Sequence, residues 1–358
     1  MKPKIRILLT FLFASLAVSL VFFAISSQPS LAEYSDTTPA MEGVDWKKLH
    51  PDLIRSLAHP QQAELIPLIV EWKRDESYLR SMAEQSFRSR QDQRQMVVSF
   101  LQEEAARQTA ELVKILEKAK RSGQASELRL FWASPVIALK ASPDLIKTLS
   151  TRSEVVFIRP DERIELEDSA VELFDLTSSQ EFLYNLDLVE VDKVEQFLQL
   201  SGAGVVVANI DSGVDGFHPA LMKQYRGYNP NGPAQHIGNW YVVTGEPYVY
   251  PGDGLGHGTH TMGIMVGDDG LGRRTGVAPK ARWIAVKAFT NQGYTYESWL
   301  HAAFEWILAP AGNPALAPDI VNNSWGTDVG SDARFRGDVE SLRAAGILPV
   351  FSAGNKGP

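Results

Sequence analysis

The N-terminal residues carry the longest apolar run of the chain. A basic leader, MKPKIR, precedes ILLTFLFASLAVSLVFFAI, and the small residues Ser30 and Ala32 follow in SLAEYS. This order predicts a signal peptide over residues 1–32, cleaved after Ala32. The run is also long enough to cross a bilayer, so a retained anchor is the alternative. Both interpretations predict export, with a secreted, extracellular or cell-envelope location. Cleavage of the signal would leave the chain without membrane association.

Between residues 63 and 165, the spacing of apolar residues changes several times between that typical of strands and that typical of helices. Residues 33–62 before them are polar and contain prolines, which predicts an irregular segment. AELIPLIVEW predicts a strand, residues 75–121 one long charged helix ending near Gly123, and ELRLFWASPVIALKAS two strands with a turn at Ser134 and Pro135. PDLIKTLS predicts a helix and EVVFIRPDERIELE a closing strand. The order strand–helix–strand–strand–helix–strand indicates a small α+β ferredoxin-like sandwich, domain 63–165.

After an acidic stretch that predicts a linker and processing region over residues 166–185, the pattern changes again. GVVVANID, ARWIAVKAF, PDIVNNSW and GILPVFSA are short apolar strands, and ESWLHAAFEWIL and ARFRGDVESLRAAG have helical spacing. Strands alternating with helices indicate a parallel, doubly wound α/β sheet over residues 186–358. Such a sheet places its cleft at the carboxyl ends of the strands.

The composition argues against several classes of function and site. The 358 residues carry a net charge of -8 and no cysteine. The acidic balance argues against nucleic-acid partners. Without cysteine, disulfides, thiol catalysis and zinc–thiolate sites are excluded from this sequence.

Three polar residues stand where the predicted sheet would place a site. Asp211 ends VVVANID, His257 lies in GLGHGTHTMGIM at a predicted helix start, and Asn355 follows PVFSA. A carboxylate can orient and stabilise an imidazole, and an amide beside them can stabilise an oxyanion. Alone, Asp211 and Asn355 could each be turn residues. His257 and His260 could instead be a metal pair, although no carboxylate stands at ligand spacing.

In combination these segments resemble subtilisin-like serine proteases. VVVANIDSGVDGFHPAL, GHGTHTMGIMVG, GVAPKARWIAVKAF, PDIVNNSWG and FSAGNKG occur in that family's order, and HPALMKQYRGYNP, WIAVKAF and NNSWG are similar to its bacillopeptidase F subgroup. The preceding sandwich resembles, more loosely, the inhibitory propeptide of these enzymes. The resemblance implies a serine endopeptidase that acts on protein or peptide substrates and has its own propeptide domain as a partner.

The resemblance also implies residue roles. Asp211 is the triad carboxylate, His257 the general base and Asn355 the oxyanion-hole amide. Ser324, Trp325 and Gly326 form the edge that pairs with an extended substrate. The alternative for this last segment is a buried strand whose Asn322 and Asn323 only close backbone hydrogen bonds.

No cofactor is expected. Many relatives hold calcium near the catalytic Asp and His, but here the corresponding positions are Ala220 and the loop VGDDGLGRRTG, with Arg273 and Arg274. Asp268 and Asp269 could bind a cation, but a solvated turn is the preferred interpretation, and no metal site is predicted.

The family's nucleophile lies in a Gly-Thr-Ser-Met-Ala motif, which these residues do not contain. The serines after His257 are Ser298, Ser324, Ser331, Ser341 and Ser352, and none follows a Gly-Thr pair. We therefore expect a truncated, inactive product with one sheet edge uncovered. Two other interpretations stay open: a binding protein whose sandwich inhibits or chaperones a protease in trans, and an aspartic protease built on the tripeptide DSG at Asp211.

Overall fold

The computed structural model describes residues 43–58, 65–166, 184–272, 274–326 and 332–355. The predicted signal peptide and nearly all of the predicted linker lie outside the described residues. The α-helices are α1 Pro51–Ala58, α2 Ser77–Ala83, α3 Arg90–Gln108, α4 Ala110–Arg121, α5 Pro143–Ser150, α6 Tyr184–Leu188, α7 Val191–Leu198, α8 His257–Val266, α9 Glu297–Leu308 and α10 Arg336–Ala344. The strands are β1 Ile66–Trp72, β2 Ala125–Leu130, β3 Val136–Ala141, β4 Val155–Pro160, β5 Arg163–Glu165, β6 Val206–Asp211, β7 Trp240–Val242, β8 Arg282–Lys287, β9 Tyr294–Tyr296, β10 Ile320–Asn323 and β11 Leu348–Phe351. Short 3₁₀ turns occur at Trp46–Lys48, Met222–Gln224, Pro310–Gly312 and Pro314–Leu316.

The described residues between 43 and 160 form the first layered part, which we call the sandwich. Its antiparallel sheet has the strand order β2-β3-β1-β4, the order of the predicted ferredoxin-like fold. Leu68 and Val70 of β1 face the helices, whereas Ile69, between them, faces the other side and joins a cluster with Ala302 of α9. The central strand is therefore buried on both faces, by its own helices and by the second part of the chain.

Two details of the sandwich differ from the sequence prediction. Part of the segment expected to be irregular is the helix α1, whose Leu53 and Leu57 are buried against the sheet. The single long helix expected over residues 75–121 is three helices. Ser89 caps α3 by accepting a hydrogen bond from Asp92 N, and the hydroxyl of Thr109 donates to Ala105 O where α3 ends. Short hydroxyl side chains compete with helical backbone bonding, which explains both breaks.

The described residues between 184 and 355 form the second part, which we call the α/β part. Five parallel strands have the order β11-β10-β6-β8-β7, and they confirm the predicted α/β class. Helix α8 contributes Met262 and Val266 to the core on one face, while α9 and α10 cover the other. β6 is the middle strand of the sheet. Its carboxyl end therefore lies at the centre of the edge formed by the carboxyl ends of the strands, which we call the upper edge. β11 is the edge strand of the described sheet, and Leu348, Val350 and Phe351 are exposed there.

The two parts belong to one compact unit. β5 leaves the sandwich and pairs antiparallel with β9 of the α/β part. The carboxylate of Glu305 on α9 accepts the backbone N–H of Trp132 at 2.8 Å, and Arg159 of β4 reaches Glu297 of α9. Within the described ranges no helix is long and apolar enough to cross a membrane.

Candidate active site

Asp211 is the last residue of β6 and is completely buried. Its Oδ1 accepts the N–H of Ser212 at 2.7 Å, and its Oδ2 accepts the hydroxyl of Thr261 at 3.3 Å. The chain then turns through Gly213, whose φ of +113° and approach to Gly252 O leave no room for a side chain. These contacts hold a buried carboxylate at the upper edge of the sheet.

His257 is the first residue of α8 and lies against Asp211. Its Nδ1 is 2.6 Å from Asp211 Oδ1, a distance at which the ring N–H donates to the carboxylate. Gly258 makes this approach sterically feasible, because a Cβ there would lie 2.0 Å from Gly213 O and 3.0 Å from the Cβ of Asp211. The structure thus brings together two of the three residues selected from the sequence.

The hydrogen bond with Asp211 raises the pKa of His257, and burial opposes the rise only in part. The side chain of His257 is 14% exposed, so one edge of the ring stays accessible. An imidazole with Nδ1 bound to a carboxylate can accept a proton at Nε2 and be stabilised as the cation, as general base catalysis requires.

Asp253 organises the loop that carries His257, and the sequence analysis missed it. Its Oδ1 accepts the hydroxyl of Ser212 and the N–H of Gly256, while its Oδ2 accepts both the N–H and the hydroxyl of Thr259. The Asp thus satisfies free N–H groups at the start of α8. An Asp shortly before a predicted helix start was a readable signal for this cap.

Lys287 is a second residue that the sequence analysis did not single out. It ends β8 in register with Asp211 and is fully buried. Its Nζ donates to Ser212 O at 2.7 Å and to Asn291 Oδ1 at 2.9 Å, and lies 3.3 Å from a carboxylate oxygen of Glu246. Burial lowers the pKa of Lys287, and Glu246 opposes this. The contact with Ser212 fixes the backbone directly after Asp211.

The two asparagines at the end of β10, Asn322 and Asn323, make different contacts. Only one of them fits the alternative interpretation, in which both side chains simply close backbone hydrogen bonds. Asn323 donates to Val321 O and Val350 O, so it does close backbone hydrogen bonds. Asn322 instead donates to Asn209 Oδ1 at 3.0 Å, and Asn209 in turn donates to Gly258 O beside the candidate base.

The segment predicted to pair with substrate, residues 324–326, directly follows β10. Ser324 Oγ accepts a bond from Asn322, Trp325 is buried with its indole N–H on Ile210 O, and Gly326 is exposed. The Trp325 side chain is therefore hydrogen-bonded to the backbone directly before Asp211.

Asn355 lies in the exposed loop after β11, and the strand β10 separates β11 from β6. Of the later serines, Ser331 lies outside the described residues. The hydroxyls of Ser298, Ser341 and Ser352 donate to Asp161, Ala133 O and Trp325 O, respectively. In the described ranges none of these serines is hydrogen-bonded to His257.

The loop considered for calcium is bonded internally. Asp268 N donates to Ala220 O, and Asp268 Oδ1 accepts the N–H of Gly270. Arg274 donates to Glu195 at 2.6 Å, and Arg273 lies outside the described residues. Across the part of the chain that the structure describes, no group of three or more His, Asp or Glu side chains could hold a metal ion.

Comparison with known proteins adds the family. The subtilase family model matches residues 202–358, which include both Asp211 and His257. The chain is 39% identical over 316 residues to bacillopeptidase F of Bacillus subtilis (strain 168), covering 84% of this chain and 21% of that protein. It is 33% identical over 174 residues to subtilisin DY of Bacillus licheniformis, covering 49% of this chain and 55% of that protein. It is also 33% identical over 157 residues to subtilisin E of Bacillus subtilis (strain 168), covering 44% of this chain and 36% of that protein.

The chain thus spans less than two thirds of the length of each of these relatives. The alignment with bacillopeptidase F is nevertheless longer than the matched family region, so that similarity reaches beyond the α/β part. Residues 202–358, which carry Asp211 and His257, are therefore similar to the subtilase family.

Proposed function

We propose that this chain carries the acid–base half of a serine endopeptidase site that hydrolyses peptide bonds in proteins. Asp211 is the orienting carboxylate and His257 the general base. The observation that carries the proposal is the 2.6 Å contact between His257 Nδ1 and a fully buried Asp211 Oδ1. That contact lies at the carboxyl edge of a parallel sheet, where sites of this architecture form.

In the proposed reaction a serine Oγ attacks the scissile carbonyl carbon and its proton moves to His257 Nε2. Asp211 keeps Nδ1 protonated and stabilises the imidazolium. His257 then gives the proton to the leaving amine, and water, activated by the same base, releases the acyl group. Asn355 is proposed to donate its amide N–H to the oxyanion.

The proposal assigns no nucleophile among the described serines. Their hydroxyls bond to other groups, and no Gly-Thr-Ser sequence is present in the 358 residues. We therefore propose that these 358 residues alone do not turn over peptides.

The sandwich is proposed to be an inhibitory propeptide, and the chain is proposed to be exported. Two contacts support the inhibitory role. The sandwich sheet is buried against α9 through Ile69 and Ala302, and β5 covers the backbone edge of β9. An extended substrate pairing with that edge would have to displace β5.

Active-site labelling tests the proposal. The full 358-residue chain is fused to the segment of bacillopeptidase F that follows the region aligned with this chain. A fluorophosphonate reacts with a serine activated by a neighbouring base. We expect the fused chain to be labelled at a serine of the added segment, and the unfused chain not to be labelled.

The variants His257→Ala and His260→Ala complete this test. His260 lies on the same helix and is exposed. Labelling should disappear in the first variant and persist in the second. Labelling that survives His257→Ala, or labelling of a serine in the unfused chain, would contradict the proposal.

A further inference from the structure

We propose that the outer face of β9 is a subsite for an arginine or lysine side chain of a peptide bound in extended conformation. The inference rests on the proposed function, because it takes β9 as a second edge, besides residues 324–326, to which an extended substrate pairs. The chain itself supplies the stand-in ligand, since β5 occupies this edge.

The backbone ladder between β5 and β9 fixes the register of any such peptide. Arg163 lies opposite Tyr296, Ile164 opposite Thr295 and Glu165 opposite Tyr294. Beyond the strand, Glu297 N donates to Glu162 O at 3.0 Å and Leu166 N donates to Gly293 O at 2.7 Å. Main-chain bonds of this kind accept any sequence, so selectivity must come from the side chains.

The ladder also leads toward the candidate base. A Cβ on Gly293 would lie 3.7 Å from the side chain of Leu255, and Leu255 precedes His257 by two residues. A peptide in the register of β5 therefore continues past Gly293 into the neighbourhood of His257.

Alternate side chains of β5 point to opposite faces. Ile164 points inward, is 7% exposed and belongs to the main apolar core of the α/β part. Arg163 points outward, and its guanidinium carbon lies 4.0 Å from the centre of the Tyr294 ring. The edge thus holds an aliphatic side chain on one face and, on the other, a cation that also pairs with Glu165 of the same strand at 2.7 Å.

The ring under Arg163 is part of an aromatic cluster. Tyr294 and Tyr296 meet edge to face at 6.0 Å, Tyr296 meets Trp299 at 5.0 Å, and Tyr294 lies 6.4 Å from Trp299. These ring contacts fix the orientation of Tyr294, so that one face of its ring is directed toward the position of the cation. We infer selection for extended peptides that carry a basic residue directly before an aliphatic one.

Peptide binding tests the subsite in the full 358-residue chain. The substitution Ile164→Asp places a charge in the core position of β5 and should free the edge. Two fluorescent peptides are compared, Arg-Ile-Glu-Leu and Ala-Ile-Glu-Leu, with blocked ends. We expect the arginine peptide to bind about two- to fivefold more tightly, the range of an exposed cation–π contact.

The variant Tyr294→Ala, added to Ile164→Asp, should remove this preference, and Tyr250→Ala, a control at an exposed tyrosine, should keep it. Equal binding of the two peptides, or a preference that survives Tyr294→Ala, would overturn the subsite but leave β9 as the peptide edge. Failure of both peptides to bind would overturn the subsite together with the role proposed for β9.

A second measurement does not require β5 to be displaced from β9. It therefore still tests the proposal if Ile164→Asp does not fold. Hydrogen exchange of the Glu297 amide, which donates to Glu162 O, reports how firmly β5 is seated. Arg163→Ala and Tyr294→Ala should each speed this exchange about two- to fivefold, and the double variant should add little. Arg163→Lys should resemble the unmodified chain. Unchanged exchange in both single variants would overturn the proposal.

Discussion

The pairing of His257 with Asp211 dominates the candidate site at the scale of single residues. Because the pKa of His257 is raised in the folded chain, this group favours the folded state most below its unfolded pKa of about 6.5. The contribution is lost as the pH rises through the folded pKa. Increasing pH should therefore weaken this part of the stability.

Replacing the carboxylate should lower the pKa of the imidazole. We expect Asp211→Asn to bring the pKa of His257 below its value in the unmodified chain, because the charged partner is lost while burial remains. An NMR titration of the His257 ring protons measures this. Asp268→Asn, in a loop whose carboxylate binds Gly270 N, is the control and should leave the pKa unchanged. An unchanged pKa in Asp211→Asn would contradict the account.

The sequence indicates Asp211 and His257 as candidate residues but not the residues that hold them in place. Asp211 and His257 stand at a strand end and a helix start, and both positions are visible in the apolar pattern. Asp253 and Lys287 act through contacts with Ser212, which only the folded backbone brings within reach. The oxyanion-hole role of Asn355 stays a prediction.

At the scale of elements, the start of α8 depends on a glycine where the helix meets β6. A methyl group on Gly258 would lie 2.0 Å from Gly213 O, whereas one on Gly263 would meet only Thr275 Oγ1 at 3.9 Å. The same helix therefore offers a disruptive substitution and a matched permissive one.

We expect Gly258→Ala to lower the free energy of unfolding by about 2 kcal/mol or more, because backbone must move. Gly263→Ala should change it by less than about 1 kcal/mol, with stabilisation expected from the better helix former. Urea unfolding of both variants measures the difference. Equal effects would show that the close approach of α8 to the Gly213 turn is not a constraint.

Element prediction succeeded where the apolar period was long and failed where contacts decided the outcome. The strands β6, β8, β10 and β11 and the helices α9 and α10 follow the sequence pattern, although the edge strand β11 is exposed. β7 was missed because it has only three residues, and its partner β8 decides that it is a strand. β5 was read as part of the closing strand of the sandwich, but its partner lies about 130 residues away in β9.

At the scale of the whole molecule, a buried cluster of charges joins the sandwich to the α/β part. Arg159 of β4 donates to Glu297 of α9, and His301 lies between Glu297 and Asp338 of α10. Glu297, His301 and Asp338 are completely buried. Four residues spread from position 159 to 338 form one network, which no local pattern in the sequence could indicate.

Removing the arginine should be costly. Arg159→Ala leaves the carboxylate of Glu297 with fewer partners in a buried position, and we expect a loss of about 3 kcal/mol in the free energy of unfolding. Lys114→Ala, in a well-exposed pair with Glu111, should cost less than about 1 kcal/mol. Denaturant unfolding compares them, and a loss below that of Lys114→Ala would contradict the role of the cluster.

The same cluster predicts a dependence of stability on pH. Burial alone would lower the pKa of His301, but Asp338 and Glu297 outweigh it and raise the pKa to about 9. Burial alone would raise the pKa of Glu297, but His301 and Arg159 lower it to about 2. The His301 contribution is complete below about pH 6.5 and is lost as the pH rises through about 9; that of Glu297 is complete above about pH 4.5 and is lost toward pH 2.

The cluster should therefore stabilise the chain fully between about pH 4.5 and 6.5. Between pH 6 and 10 the unmodified chain should lose up to about 3 kcal/mol more stability than His301→Gln, which cannot be protonated in this range. Urea unfolding at the two pH values gives both losses. Equal losses in the two proteins would show that His301 does not titrate in the assumed way.

The central claim is that Asp211 and His257 are the acid–base half of a serine endopeptidase. Its most direct test is the kcat/KM for a chromogenic peptide. It is measured with the chain fused to the following segment of bacillopeptidase F, after an added protease has cut the predicted linker and released the proposed inhibitory sandwich. The account predicts hydrolysis by the fused chain, a loss of more than about 10³-fold in His257→Ala, and a value within about twofold of the fused parent in His260→Ala, an exposed histidine outside the proposed machinery. Hydrolysis that survives His257→Ala would contradict it.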